Sequence, residues 1–212
     1  MSSVWDERAE AYRTSVEHRE GPDLDLLVEW AEGGRTALDV ATGGGHVARR
    51  LREAGLDVVS CDAAPGMGPD VVCRAEDLPF ADASFDVVAS RLGAHHFEDV
   101  AAAVREMARV ASDRVLVVDN VYAGEAWEAA DRIRDPSHVR KLDEKEWRHV
   151  FEDAGLRVSD VRRSQRTLHV QTWLERTRCV GADAARVRSL LADRIEGGTV
   201  RIERIALRGS KA

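Results

Sequence analysis

The sequence predicts an α/β fold, a doubly wound and mostly parallel sheet of seven strands with a reversed last strand, and three observations carry that prediction. Between residues 35 and 120, short β-branched runs alternate with helical patterns, as parallel strands joined by crossover helices require. A glycine turn, Gly43-Gly44-Gly45, separates the first of those strands from the first of those helices. Two late extended segments, 157–170 and 199–208, bracket a helical stretch over 172–194 and supply the final pair of strands.

Taken in order, the first strand covers residues 36–40 and runs into Ala41-Thr42-Gly43-Gly44-Gly45. Val47, Ala48, Leu51 and Ala54 then recur on one helical face until Gly55 supplies a stop. The second strand, 57–61, ends at Asp62; a short third lies around 71–73; the fourth is 85–90 and the fifth 115–119. Between the last two, Val100, Val104, Met107 and Ala108 mark an amphipathic helix. Helical spacing resumes with Trp127, Ala130 and Ile133 until Pro136 prevents continuation, and a loop follows over 135–140. Asp143 with Glu146 three residues on is a capping-box pattern; Trp147, Val150, Phe151 and Ala154 face inward behind it, and Gly155 closes the helix. In 157–166, Val158 and Val161 alternate with arginines, which reads as a half-exposed strand and not a nucleic-acid patch.

Composition bounds the function. The chain has 212 residues, 44% hydrophobic and 33% charged, which fits one soluble globular domain and excludes a disordered tail. No apolar run approaches the ~20 residues that cross a bilayer. The amino-terminal residues carry charges of both signs and no apolar segment, so the expected address is cytoplasmic, without membrane attachment. A net charge of −7, with lysine only at Lys141, Lys145 and Lys211, argues against nucleic acid as a partner. Cys61, Cys73 and Cys179 form no CxxC pair and no spacing with histidine that suggests zinc, so neither a disulfide framework nor a metal site is expected. A monomer or a homodimer acting on a small molecule is the expectation that remains.

The glycine turn lets a ligand approach the sheet edge at a helix amino terminus. Gly43, Gly45 and Ala48 satisfy the dinucleotide pattern GxGxxG/A, and Asp62 stands nineteen residues beyond Gly43, where a ribose-binding acid belongs. These residues point to a nucleoside-containing cofactor without naming it.

A longer constellation does. The string Ala37-Leu38-Asp39-Val40-Ala41-Thr42-Gly43-Gly44-Gly45-His46 resembles motif I of the class I S-adenosylmethionine-dependent methyltransferases, with Asp39 as the acid and Ala41 in place of the first glycine. Ala75-Glu76-Asp77-Leu78-Pro79-Phe80 and Asp82-Ala83-Ser84-Phe85-Asp86 are similar to the AExLPFxDxSFD signature of the type 11 members, which include ubiquinone and menaquinone biosynthesis methyltransferases. Residues 91–97 and 105–110 continue the match in register, and 134–140 with 172–176 resemble a subgroup of small bacterial members. The resemblance implies a Rossmann-like methyltransferase fold with S-adenosyl-L-methionine as cofactor and S-adenosyl-L-homocysteine as product. It implies that Asp39, Ala41, Gly43 and Gly45 hold the methionine moiety and that Asp62 accepts from the ribose hydroxyls. Met67 would pack on adenine and Ala75 would offer it a backbone N–H, with Ala63, Glu76 and the Arg91 backbone also lining the cofactor. Arg74 stands where the family often has an acceptor for the adenine amino group.

One departure concerns residues 63–70, where the family usually places a full helix. Two prolines and two glycines in eight residues do not make one. The sheet face left bare is expected to be covered by the amino-terminal helices, by another chain, or to remain an exposed groove.

Methyl transfer asks the protein to align a nucleophile, exclude water and accept a proton. His95 and His96, after the fourth strand, and Asp119, at the end of the fifth, are the catalytic candidates, because both types of group sit at the mouth where ligands bind. Tyr12, in an amino-terminal segment (1–34) that resembles the family's lid, together with His138 and Arg140 in the 135–140 loop, are the candidates for substrate contact. The expected domain plan is a lid over 1–34, a cofactor half over 35–120 and a substrate half over 121–212. Methyl transfer to O, N or C of a small metabolite leads; an NAD-linked oxidoreductase, a catalytically silent cofactor-binding protein and a thiol-dependent methylation of a metalloid are the alternatives.

Overall fold

The computed structural model describes residues 4–211; residues 1–3 and 212 of the expected single domain lie outside the described residues. The element order is α1 (Val4–Thr14), α2 (Val16–Arg19), α3 (Pro22–Ala31), β1 (Thr36–Val40), α4 (His46–Glu53), β2 (Asp57–Asp62), β3 (Val71–Val72), β4 (Phe85–Arg91), α5 (Val100–Val110), β5 (Ala111–Asn120), α6 (Glu125–Arg134), α7 (Glu144–Asp153), β6 (Leu156–His169), α8 (Val170–Arg176), α9 (Gly181–Leu190), β7 (Ile195–Glu196) and β8 (Thr199–Lys211). Single 3₁₀ turns at Pro65–Met67 and Ala94–His96 follow β2 and β4.

One sheet runs in the order β3-β2-β1-β4-β5-β8-β6. The first five strands are parallel to one another, and β8 enters antiparallel between β5 and β6. The mostly parallel sheet with a reversed last strand is therefore present. It has an eighth strand that sequence periodicity does not resolve, the two-residue β7, which pairs only with β8. The single helical stretch expected over 172–194 is divided into α8 and α9, with Arg178 at φ 57° marking the break.

Alternation along the central strands sorts the core into two layers. Leu38, Val40, Val88, Val115 and Val117 face α5 and α7, where Val104, Met107, Trp147 and Phe151 meet them. Ala37, Val87, Ala89, Leu116 and Val118 face the other way, onto Leu24, Leu27 and Trp30 of α3 and Val47, Ala48 and Leu51 of α4. Helix α3 is thus part of the sheet's cover, and only α1 and α2 of the expected 1–34 lid lie at the mouth. A third cluster, Trp127, Leu168, Trp173, Leu174, Val187 and Leu191, holds α6, α8 and α9 together over the outer ends of β6 and β8.

The connection between β2 and β3 contains no helix beyond its 3₁₀ turn. Of the three covers expected for that face, the amino-terminal helix is the one present: Ala9 of α1 packs on Ala64 and Met67, and the Arg13 guanidinium donates to the Gly66 carbonyl at 2.6 Å. Asp70 closes the short connection by accepting from the Ser60 amide and hydroxyl at 2.8 and 2.7 Å.

Candidate functional site

The turn after β1 is built around Asp39. Its side chain is 1% exposed and points to the α4 side of the sheet, where Oδ2 accepts from the Thr42 hydroxyl at 2.6 Å and the Ala48 amide at 3.0 Å. Burial pushes its carboxyl up to about 7, against those two hydrogen bonds. Asp39 therefore fixes the turn from beneath and does not line the cavity above it, which corrects the expectation of direct ligand contact. Ala41, in the place of a family glycine, adopts φ 56°, a left-handed conformation that costs an ordinary residue about 1–2 kcal/mol. Its methyl group requires glycine opposite, because a Cβ at Gly93 would lie 2.8 Å from it. Gly43 at φ 51° leaves open space where a side chain would stand.

Asp62 ends β2 in front of this turn. One oxygen accepts from the Gly43 amide at 2.9 Å and the other from the Ala64 amide at 2.9 Å. Asp62 stands on the wall of the space in front of the turn, and a carboxylate is the acceptor-only group that suits hydroxyl donors. Between Asp62 and the turn opens a cavity of about 260 Å³, the front cavity, with Ala41, Gly43, Ala63, Met67, Ala75, Glu76, Arg91 and Tyr12 on its walls. Gly45 is not among the lining residues; at φ 75° it caps the start of α4.

Several lining residues escape a reading by sequence alone. Trp5 and His18 come from the amino-terminal helices, and Leu92, Phe97 and Glu98 come from the segment after β4, beside the catalytic candidate His96. His46 donates from Nε2 to the Tyr12 carbonyl at 3.0 Å, joining α1 to the start of α4. The Arg91 side chain, expected to matter only through its backbone, is buried: Nε donates to Asp23 at 2.7 Å and one terminal nitrogen to the His18 carbonyl at 2.7 Å. Arg74 pairs with Glu98 at 2.8 Å, at the rim of the same cavity.

Behind the front cavity lies a pair of histidines. The His95 ring donates from Nδ1 to Asp119 at 2.5 Å, while the His95 amide donates to the other oxygen of the same carboxylate at 2.8 Å. Burial opposes the Asp119 charge, but the His95 ring and the Asn120 amide outweigh it and hold the carboxyl below its ordinary range. With Nδ1 engaged by Asp119, Nε2 is the ring nitrogen left for other partners. His96 donates from Nδ1 to the Ser137 carbonyl at 3.0 Å, its ring 4.1 Å from that of His95 and 4.6 Å from that of Trp5. Burial pushes His96 down to about 3, so it is neutral at physiological pH.

The 135–140 loop holds this pair in place and does not reach over the front cavity. His138 is buried, donating to Glu128 at 3.0 Å, and Arg140 is exposed and pairs with Glu146. Neither lines the front cavity or the second cavity beyond His95, so the structure does not bring these two substrate-contact candidates to either. Asp135 instead anchors α1: Arg8 donates to it at 2.9 Å, with both side chains buried.

A second cavity, of about 310 Å³, opens beyond His95. Behind its wall residue Asp131, the buried Glu128 and His138 join that carboxylate with ligand atoms all within 4.8 Å of one another, a set that would suit a cation. The Lys141 ammonium, in contact with Asp131 and 3.8 Å from Glu128, supplies that positive charge from within the chain.

With the geometry in place, three comparisons give it a setting. Residues 38–118 match a family model described as a methyltransferase domain. The uncharacterized methyltransferase YcgJ of Bacillus subtilis (strain 168) is 35% identical over 193 residues, spanning 79% of this chain and 76% of the relative. Its crystal structure superposes with a TM-score of 0.80 at 26% identity, covering 89% of this chain and 97% of that one. A crystal structure of a Bacillus halodurans C-125 protein assigned to the methyltransferases gives a TM-score of 0.79 at 28% identity, covering 90% and 99%. The demethylmenaquinone methyltransferase of Beutenbergia cavernae is 40% identical over a shorter stretch of 97 residues, 41% of this chain and 40% of the relative.

Proposed function

Since the chain belongs to the S-adenosylmethionine-dependent methyltransferases, we propose that it methylates an oxygen, nitrogen or carbon atom of a small metabolite, with the cofactor in the front cavity and His95 as proton acceptor. The observation that carries this reading is the pairing of the Asp62 carboxylate with the Gly43 amide at the edge of the front cavity. Membership of the family removes the NAD-linked alternative, and His96 on the wall of the front cavity counts against a silent binding protein.

The residues fit the cofactor. Asp62 puts a carboxylate, the acceptor type that suits a ribose diol, on the cavity wall, Gly43 leaves the approach open, and Met67 with Ala75 provides the apolar surface and backbone N–H that adenine asks for. When bound, S-adenosylmethionine supplies a sulfonium-activated methyl group, so the protein's own work is alignment, dehydration and proton acceptance. Trp5 and Tyr12, edge to face at 5.7 Å, exclude water from the mouth. Asp119 orients His95 and selects the tautomer whose Nε2 takes a proton from an O–H or N–H nucleophile. His96, neutral and tied to Ser137, keeps a second imidazole beside it without competing positive charge.

The test is incubation of the protein with S-adenosylmethionine and a metabolite extract of its host, read by mass spectrometry. A product heavier by one methyl group, formed with S-adenosylhomocysteine and absent with NAD, is expected. Cofactor that stays intact while NAD-dependent oxidation products accumulate would overturn the proposal.

A further inference from the structure

The second cavity has no part in holding the cofactor, yet it shares a wall with the front cavity: His95 lines one and His96 the other, with their rings 4.1 Å apart. We propose that this rear cavity receives the body of the methyl acceptor, whose nucleophilic end reaches past His95 to the methyl group in the front cavity, and that the acceptor is a small organic anion, a carboxylate or a phosphate ester, bearing an O–H or N–H nucleophile. The inference rests on the methyltransferase reading and narrows its substrate.

Charge is the first argument. The chain as a whole carries −7, but four cations, Arg134, Lys141, Arg194 and Arg201, line this cavity against the carboxylates of Asp131 and Glu203. Arg134 and Lys141 are spoken for, since both pair with Asp131, and Glu203 pairs with Arg163 at 3.2 Å. Among the described residues, Arg194 and Arg201 form no ion pair. Arg194 is held by the face of Trp127, 5.7 Å from the ring centre, which orients a guanidinium without neutralising it. Two uncompensated guanidinium groups at the mouth of a cavity are a site for planar, bidentate recognition of carboxylate or phosphate.

The opposite end asks for a hydrogen-bond donor. Asn120 lines the cavity, and its buried Oδ1 has no hydrogen-bond partner. It sits beside His95, whose Nε2 is the ring nitrogen left free by Asp119. A nucleophilic O–H or N–H satisfies the amide oxygen and stands where a base can take its proton. Asn120 and Arg201 both line the cavity, and they are well separated: Asn120 pairs with Arg204, and Arg201 lies three residues before it on β8, about 10 Å along the strand. Trp127 and Trp173, with ring centres 6.3 Å apart, supply an apolar wall for the body of such a molecule.

The experiment titrates the full chain, with S-adenosylhomocysteine present, with phenyl phosphate, 4-hydroxybenzoate and neutral 4-hydroxybenzamide. Indole N–H signals of Trp127 and Trp173, assigned through Trp→Phe variants, report occupancy by NMR. Expected are shifts of both signals by at least one of the two anions, at least tenfold tighter than the amide. An Arg194→Ala/Arg201→Ala variant should lose that preference, and an Arg194→Lys/Arg201→Lys variant should restore part of it. Equal binding of anion and amide, an unchanged preference in the alanine variant, or shifts confined to Trp5 and Trp147 would overturn the inference. Binding of S-adenosylhomocysteine, followed in the same samples, tests the methyltransferase reading separately.

Discussion

The two cavities on either side of the histidine pair are built by different means. In the front cavity, backbone does most of the work: a left-handed Ala41, an open Gly43 and amides held by two aspartates, all within the 24 residues from Asp39 to Asp62. The rear cavity is made of residues drawn from β5, α6, β6, α8, β8 and the loops between them, and only part of its charge is paired within the chain. On the proposed roles, backbone geometry serves a ligand that never changes. Side chains serve one that differs from enzyme to enzyme, which is how one fold comes to host many acceptors.

The sharpest way to break that division is at the shared wall. His95→Gln should lower kcat by about 10³-fold, roughly 4 kcal/mol of barrier, with affinity for S-adenosylhomocysteine unchanged. Asp119→Asn should do the same to a lesser degree and shift the pH–rate profile, as a positioning residue does. A loss of cofactor affinity matching the loss of kcat would instead make His95 part of the front cavity.

Next in size is the α1 anchor. Arg8→Ala leaves the buried Asp135 without its cation, and truncating one member of a buried pair costs about 3 kcal/mol or more. A urea midpoint lowered accordingly, with cofactor binding weakened as α1 loosens, is expected. An unchanged midpoint would mean that α1 docks by its apolar face alone.

Acid sensitivity sharpens the comparison further. His96 at about 3 and His18, held well below the usual range, both by burial, are neutral in the folded chain. Between those values and the unfolded ~6.5 the unfolded chain binds more protons, so stability falls as pH drops from 6.5, by at most about 1.4 kcal/mol per pH unit for each group. Asp39, raised to about 7, acts in the opposite sense from ~3.9 to 7. The difference between wild type and His96→Asn isolates the histidine: the variant's Tm should decline less between pH 7 and pH 5. An identical decline would place the acid-sensitive groups elsewhere.

The smallest effect lies outside both cavities. Asp143→Ala removes the α7 capping box, in which Asp143 accepts from the Glu146 amide at 2.8 Å and Glu146 from the Asp143 amide at 2.9 Å. It should cost about 1 kcal/mol without changing either ligand affinity. Weakened ligand binding would tie α7 to the site.

This division also explains what the sequence makes legible. The succession of strands and helices, the capping box and the turn from Ala41 to Asp62 can be read because each is a local pattern or a short spacing. Asp39 is read one step too far: an acid beneath a glycine turn is visible, but whether it faces ligand or backbone depends on the Ala48 amide of the next helix. His138 and Arg140 look alike in a charged loop, yet one turns inward to Glu128 and the other outward to Glu146. Arg8 and Asp135 meet across 127 residues, and nothing local to either announces the other. The rear cavity is invisible for the same reason, since its uncompensated arginines are recognised only once every carboxylate nearby has been matched to a cation.

The most direct test of the central claim is a calorimetric titration of wild type and Asp62→Ala with S-adenosylhomocysteine. The account predicts one site per chain in wild type and at least a hundredfold weaker binding in the variant, about 3 kcal/mol for two hydroxyls that lose a charged acceptor. Equal affinity in both proteins, or no heat with wild type, would contradict it.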